Sequence, residues 1–508
     1  MKLNQLKAGA VISYANLLIG NIIPFVYTPI MLRMLGQAEY GLYSVAQSIM
    51  GYIGLLNFGI GGTIVRYLSK YRAEGNEEGE ERVAGLFFAI YSVICVLILI
   101  VGGLLTANIH VYGNALSDQE LRTLQVLVGL MTLNTAVFLP FSVFSSIILA
   151  HERFVISKGV GAISGIVAPL LNLFMLYCGF GSVGLVISST ILNLITYCIY
   201  ILYVIKTLRI RPRFGKTDKG ILREIICFSG FVFLASIVDI LYWATDKLII
   251  GWCIGATATA VYSIGASFNG YITSLSTAVS GLLLPRLTEM AVKDVPKEEY
   301  TKLFIKVGRV QFILISLIVS GFVVFGRQFI ILWAGPDYEE AYVIALLTMI
   351  PVTVPLIQNT GLNILYALNK HKFRSVVYLC VAIANVFLTL LWVDEYGILG
   401  AAMATCLAYI VGNIVIINWY YYRHIGIDIP LFWKNIFRMS PVMLGMGVLG
   451  WLAVAYVDDT TWLVFLLSIA VYTVLYAALA FYIMMNDYER ALIRGPILKL
   501  KRKVSRRG

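Results

Sequence analysis

The chain has 508 residues, 59% of them hydrophobic and only 13% charged, with a formal net charge of +12. A soluble domain carries roughly 25% charged and about 45–50% apolar residues, so this sequence lacks the polar surface to cover a globule of its size. Composition and length also exclude a disordered chain, a collagen, a coiled coil and a small disulfide scaffold, and the scarcity of period-two alternation favours helices over an outer-membrane barrel.

A membrane-crossing helix needs about 20 mainly apolar residues. Fourteen stretches qualify in chain order: roughly 8–32, 40–65, 83–107, 122–150, 159–179, 183–205, 223–250, 256–284, 303–333, 340–368, 373–393, 397–422, 436–457 and 461–485. The first follows Lys2 and Lys7 and is too long for a secretory signal. No small-residue cleavage site follows it, so it reads as an uncleaved helix. Pro24 and Pro29 in span 1, and Pro351 and Pro355 in span 10, are expected to bend their helices. With the N-terminus inside, 35 of the 39 Lys and Arg residues fall in inside loops and termini, leaving Arg33, Arg122, Lys247 and Arg327 elsewhere. Cytoplasmic loops retain positive charge, so both termini are expected in the cytoplasm. The basic blocks at 209–213 and 499–503 then read as topogenic charge beside anionic lipid, and no nucleic acid is expected.

The seven cysteines are scattered through apolar stretches without metal-like spacing. They read as buried thiols, with no disulfide framework. His110, His151, His371 and His424 fall near helix ends and form no cluster, so no metal and no cofactor is expected.

Residues 35–53 (LGQAEYGLYSVAQSIMGYI) match 254–272 (IGATATAVYSIGASFNGYI) at seven of nineteen positions without a gap. The same shift of 219 sets His151-Glu-Arg-Phe154 on Lys370-His-Lys-Phe373, and a shift of 216 sets Gly181-Ser-Val-Gly184 on Gly397-Ile-Leu-Gly400. Each repeat holds six spans. Six is even, so the second repeat enters from the same side as the first, and the two are parallel repeats about an axis along the membrane normal. The expected fold is an all-α integral membrane protein in three parts: a six-helix bundle over 1–219, a second over 220–430, and two extra helices with a basic tail over 431–508. A cleft lined by spans 1, 2, 7 and 8 would suit alternating access by rocking of the halves.

Met34-Leu-Gly-Gln-Ala-Glu-Tyr-Gly-Leu-Tyr43 resembles the LGxxEYGLY signature of polysaccharide flippases. Asp246-Lys-Leu-Ile-Ile-Gly251 with Ala260-Val-Tyr-Ser263 looks like their motif around spans 7 and 8. That family belongs to the multidrug/oligosaccharidyl-lipid/polysaccharide exporter superfamily. The resemblance implies an enzyme-free transporter that moves an undecaprenyl-diphosphate-linked oligosaccharide across the bacterial cytoplasmic membrane for polysaccharide biosynthesis. Membrane lipids are its surroundings, and a coupling ion, proton or sodium, is admitted. A drug/cation antiporter of the same superfamily and a lipid II flippase are the alternatives.

Such a substrate demands a wet, partly cationic path for its diphosphate and sugars, because burying unpaired polar and charged groups is expensive. Intramembrane charge marks the candidates. Ser236, Asp239, Trp243 and Asp246 follow helical spacing and are expected on one face of span 7. Asp239 lies ~16 Å from the outer end of that span at ~1.5 Å per residue, near mid-membrane. It reads as a protonatable coupling or headgroup site, or as a carboxyl satisfied by neighbouring helices. Asp246 and Lys247 read as pathway groups, or as packing and interface anchors. Arg33 suits bidentate contact with a diphosphate, or pairing with Glu39. Arg66, with Lys70, stands at the cytoplasmic mouth, either attracting the diphosphate or setting topology. Asn16, Gln47, Asn134, Asn359 and other uncharged polar residues within spans could bond sugars, or simply neighbouring helices.

Overall fold

Every regular element among the described residues is helical. The computed structural model describes residues 5–112, 115–215, 219–280, 283–293, 295–370, 372–455, 461–492 and 494; Lys2, His371 and the basic tail from Lys499 onward lie outside them. The first half contains α1 (Gln5–Leu35), α2 (Gln37–Gly54), α3 (Gly61–Ala73), α4 (Glu77–Ala107), α5 (Asp118–Phe138), α6 (Ser142–Ala150), α7 (Phe154–Tyr177) and α8 (Gly181–Tyr203). It is followed by α9 (Lys219–Trp243), α10 (Thr245–Cys253), α11 (Ala256–Ser280), α12 (Leu284–Val292), α13 (Lys297–Trp333), α14 (Ala341–Ile357) and α15 (Asn359–Ala367). The chain then runs through α16 (Lys372–Tyr409), α17 (Ile417–Tyr420), α18 (Ile429–Phe437), α19 (Ser440–Val454) and α20 (Trp462–Leu479). Among the described residues, ten stretches are long and apolar enough to cross a membrane, or eleven when α14 and α15, bent by 45° at their break, count as one. The protein is an all-α integral membrane protein.

Local chemistry sets the helix starts. The side chain of Asn76 accepts from Gly79 N ahead of three glutamates in the first turn of α4, where carboxylates suit the helix dipole. Ser117 and Glu120 form a reciprocal capping box at α5. Several expected spans are broken. Span 4 divides into α5 and α6 around Pro140, which lacks an N–H and cannot continue the ladder. Span 10 breaks at Gln358, just past Pro351 and Pro355. Pro24 and Pro29 instead sit inside an unbroken α1. Spans 11 and 12 run together as α16, with a kink at Gly397.

The repeat is written into the backbone. Left-handed φ values recur at Gly36 and Gly255 (81° and 122°), Glu152 and Asn369 (54° and 54°), Gly181 and Gly397 (55° and 59°), and Arg209 and Gly426 (59° and 83°). The nine-residue helices α6 and α15 occupy matching places. So do two five-residue π-helical turns, Val204–Leu208 and Tyr421–Ile425, each ending on one of those left-handed residues. Several turns and breaks therefore recur between the halves although the side chains at them differ.

The chain forms two compact units, Met1–Ser263 with Val386–Ala401, and Ile264–Asn385 with Ala402–Gly508. In the first, α1 packs along α7, and α4 packs along α5 over a core that includes Leu42, Ile64, Phe87, Tyr91, Leu124 and Val128. In the second, α13 is the central post for α14, α18, α19 and α20. A polar seam joins α13 to α20. Ser320 accepts from Tyr472 Oη at 2.8 Å, and Ser316 Oγ lies 2.6 Å from Tyr476 Oη. At its end Arg309 makes a bidentate pair with Glu489, 2.6 and 2.9 Å. Charge counting treats Arg309 as a topogenic loop residue; the fold buries it, with Nη2 also donating to Met484 O at 2.9 Å. Six of the seven cysteines differ from expectation too, the side chain of Cys227 lying outside the described ones. Cys178, Cys198 and Cys380 are exposed, and Cys95, Cys253 and Cys406 are half-buried free thiols.

Candidate functional site

Span 7 is not one continuous helix, and this separates its two carboxyls. Asp239 stands exposed on α9. The chain breaks at Ala244, and Asp246 enters the first turn of the separate α10, where it is only 2% exposed. The single polar face expected over 236–246 is therefore cut between Trp243 and Thr245. Tyr262 Oη donates to Asp246 Oδ2 at 2.5 Å, and Thr389 Oγ1 donates to Oδ1 at 3.2 Å. Both carboxylate oxygens thus accept from hydroxyls, which offsets the cost of burial. Next to it, Thr245 Oγ1 lies 2.5 Å from Tyr52 Oη, and Tyr112 Oη donates to Leu248 O at 2.7 Å. Lys247 follows at an intermediate exposure.

The signature residues are the ones that let α10 sit there. A Cβ on Gly251 would lie 2.6 Å from Tyr112 Oη and 2.8 Å from Val45 Cγ2. A Cβ on Gly41 would fall 1.8 Å from the carbonyl oxygen of Ala256, so glycine permits α2 to abut the start of α11. Glu39 Oε2 accepts from Ser182 N at 2.7 Å and caps α8. One carboxylate thereby ties the first turn of α2 to the start of α8, at the left-handed Gly181.

That tie places α2 and α8 around a polar cavity of about 350 Å³, completed by α5 and lined by Tyr43, Gln47, Met50, Gly51, Met131, Asn134, Thr135, Val186 and Ser189. Asn134 is held at both ends of its amide. Its Nδ2 donates to Thr190 Oγ1 at 3.1 Å, and its Oδ1 accepts from Asn193 Nδ2 at 3.1 Å. Ser189 Oγ donates to Leu185 O at 3.0 Å.

Of the residues singled out in the sequence, Asp246 and Lys247 sit together in α10, whereas Arg33, Arg66 and Asp239 are exposed on α1, α3 and α9. All five carry charge, and Asp246 and Lys247 also stand in the signature motif. Tyr43, Thr135 and Ser189 carry none, and only the fold brings them beside Gln47 and Asn134. In the second unit, a buried chain runs from Gln358 Nε2 to Asn418 Oδ1 at 2.8 Å, and Tyr378, which accepts from Arg374 at 2.8 Å, donates to Asn413.

Comparison with known proteins gives a consistent picture. A Shigella flexneri protein described as "Putative O-antigen transporter" is 21% identical over 77% of this chain and 91% of its own length. The structure of lipid II flippase MurJ in an inward closed conformation superposes with a TM-score of 0.70 at 15% identity, covering 93% of this chain and 98% of that one. An inward-facing multidrug resistance MATE family transporter of the MOP superfamily gives 0.62 at 14% identity, over 82% and 98%. At such identities these two structures establish a shared fold. Residues 6–291 match the family described as Polysaccharide biosynthesis protein; the chain belongs to that family.

Proposed function

We propose that this protein is a flippase: it moves an undecaprenyl-diphosphate-linked oligosaccharide across the bacterial cytoplasmic membrane for polysaccharide biosynthesis, without catalysing a covalent reaction. The observation that carries this reading is membership of a polysaccharide biosynthesis family by a chain built as a multi-span helical membrane protein. A pathway step carried out within such helices is the passage of a polar intermediate through the bilayer, whose hydrocarbon excludes sugars and diphosphate. The likeness to a lipid II flippase fold supports the same reading.

In this proposal the chain crosses the membrane fourteen times with both termini in the cytoplasm. The bundles over 1–219 and 220–430 rock to give alternating access, and 431–508 is an appendage. Arg33 and Arg66 meet the diphosphate, and Lys247 assists. Asp239 and Asp246 are the groups through which a proton or sodium gradient acts. Asp246 suits such a role because both of its oxygens accept from neutral hydroxyls, and a hydroxyl can turn to serve either a carboxyl or a carboxylate.

The test is transport of a fluorescent undecaprenyl-diphosphate oligosaccharide in liposomes, read by an impermeant quencher, with and without imposed proton and sodium gradients. Protein-dependent movement is expected. Failure to move this lipid, with export of an organic cation instead, would establish the drug antiporter; movement of lipid II alone would establish a lipid II flippase. Asp239→Asn should fold and insert yet lose its response to the gradient, and a full response would remove Asp239 from coupling. Lys247→Ala should weaken headgroup engagement and keep the response.

A further inference from the structure

We infer that the cavity among α2, α5 and α8 is a subsite for a neutral sugar ring of the transported oligosaccharide, an inference that rests on the flippase function proposed above. Among the described residues, no Asp, Glu, Lys, Arg or His side chain lines it. Neither a diphosphate nor a cationic drug finds a counter-charge there, and an unpaired charge would be costly to bury. Its lining matches a carbohydrate instead: amides from Gln47 and Asn134, hydroxyls from Tyr43, Thr135 and Ser189, and the thioether of Met131. A sugar ring offers hydroxyls around its rim and C–H groups on its faces, and it needs hydrogen bonds and an apolar or aromatic surface together. At about 350 Å³ the cavity is at the small end of ligand sites, which run roughly 300–1,000 Å³. It has room for a sugar unit and not for a whole glycan chain.

The hydrogen-bonding capacity is left over by design of the surroundings. Asn134 has two amide hydrogens and two carbonyl lone pairs. Thr190 takes one hydrogen and Asn193 fills one lone pair. One of each remains for a ligand, on a side chain already fixed in place. Ser189 spends its hydrogen on Leu185 O, so its oxygen serves a sugar hydroxyl as an acceptor. Tyr43 belongs to the signature segment, and Glu39 of the same segment holds α8 by its start. The segment therefore both supplies a wall of the cavity and sets its width. The cavities among α13, α19 and α20 differ in kind, being lined mainly by apolar side chains.

The test compares two lipids in the same liposome assay: undecaprenyl diphosphate bare, and undecaprenyl diphosphate carrying a neutral trisaccharide. Gln47→Leu keeps the side-chain size, and Ser189→Ala removes one acceptor; size-exclusion profiles establish that both fold. Each substitution should lower the ratio of glycosylated to bare lipid transport by roughly 3- to 10-fold, the effect of a lost neutral hydrogen bond. An unchanged ratio in folded protein overturns the subsite, as does an equal fall for both lipids. Binding of the free trisaccharide to solubilised protein separates this inference from the parent reading. If the wild type moves neither lipid yet binds trisaccharide in a Gln47-dependent manner, the flippase function fails and the sugar site stands.

Discussion

Asp246 in the first unit and Glu489 in the second are almost equally buried, 2% and 3% exposed, and they are held by different chemistry. Glu489 faces a guanidinium in a two-toothed ion pair with Arg309 and also accepts from Asn486 N at 2.9 Å. Asp246 accepts from the hydroxyls of Tyr262 and Thr389. A buried ion pair is stable only with both partners ionised, because removing either charge strands the other. Hydroxyls impose no such condition. The comparison separates a carboxylate paired bidentately with a buried guanidinium from one whose two oxygens accept from hydroxyls.

The largest expected effect comes from breaking the fixed pair. Arg309→Ala should destabilise the protein by about 3–5 kcal/mol by stranding Glu489, measured by thermal unfolding in detergent. The double variant Arg309→Leu with Glu489→Leu should recover most of that loss, since well-packed apolar pairs often replace buried ion pairs at no cost. Failure to recover would show that the pair's bonds to Met484 O and Asn486 N matter more than its charges.

Next comes the packing of α2 against the start of α11, and the seat of Asp246 in α10. Gly41→Ala drives a methyl into the Ala256 carbonyl, a backbone group that cannot rotate away. Overpacking of this kind should cost about 3 kcal/mol, and a protein that melts like the wild type would refute the close approach. Asp246→Asn should cost less, about 1–2 kcal/mol, because the amide oxygen still accepts from one hydroxyl while the other loses its acceptor. Its larger effect should be on the gradient dependence of transport; an unaltered gradient response would assign Asp246 to folding alone. Asp239→Asn, on an exposed position of α9, should change stability by less than ~0.5 kcal/mol. A large loss of stability there would mean that Asp239 is a packing residue like Glu489.

Much of this molecule is legible in the sequence because the bilayer leaves few options. A chain of apolar stretches about 20 residues long must satisfy its backbone internally, and helices do that segment by segment. The offset between LGQAEYGLY and IGATATAVY, and between GSVG and GILG, disclosed a repeat that reappears in paired left-handed residues. Those are local requirements, and local requirements can be read from local residues. The break at Ala244 has no such local mark, because the residues around it carry no proline, and helical spacing alone puts Asp239 and Asp246 on one face.

What tertiary structure alone decided is who meets whom. Arg309 and Glu489 lie 180 residues apart, Thr389 and Asp246 143 apart, and Glu39 and Ser182 143 apart. Charge, hydropathy and spacing carry no information on such pairings, because each depends on how several helices lean together. The same is true of the neutral cavity. Its amides and hydroxyls are individually ordinary in a membrane helix, and only the packing of α2, α5 and α8 turns them into a site. The sequence by itself determined a membrane-spanning, all-helical, internally repeated chain through the free energy of burying apolar side chains and pairing every backbone group. The fold determined which polar side chains that burial leaves facing one another.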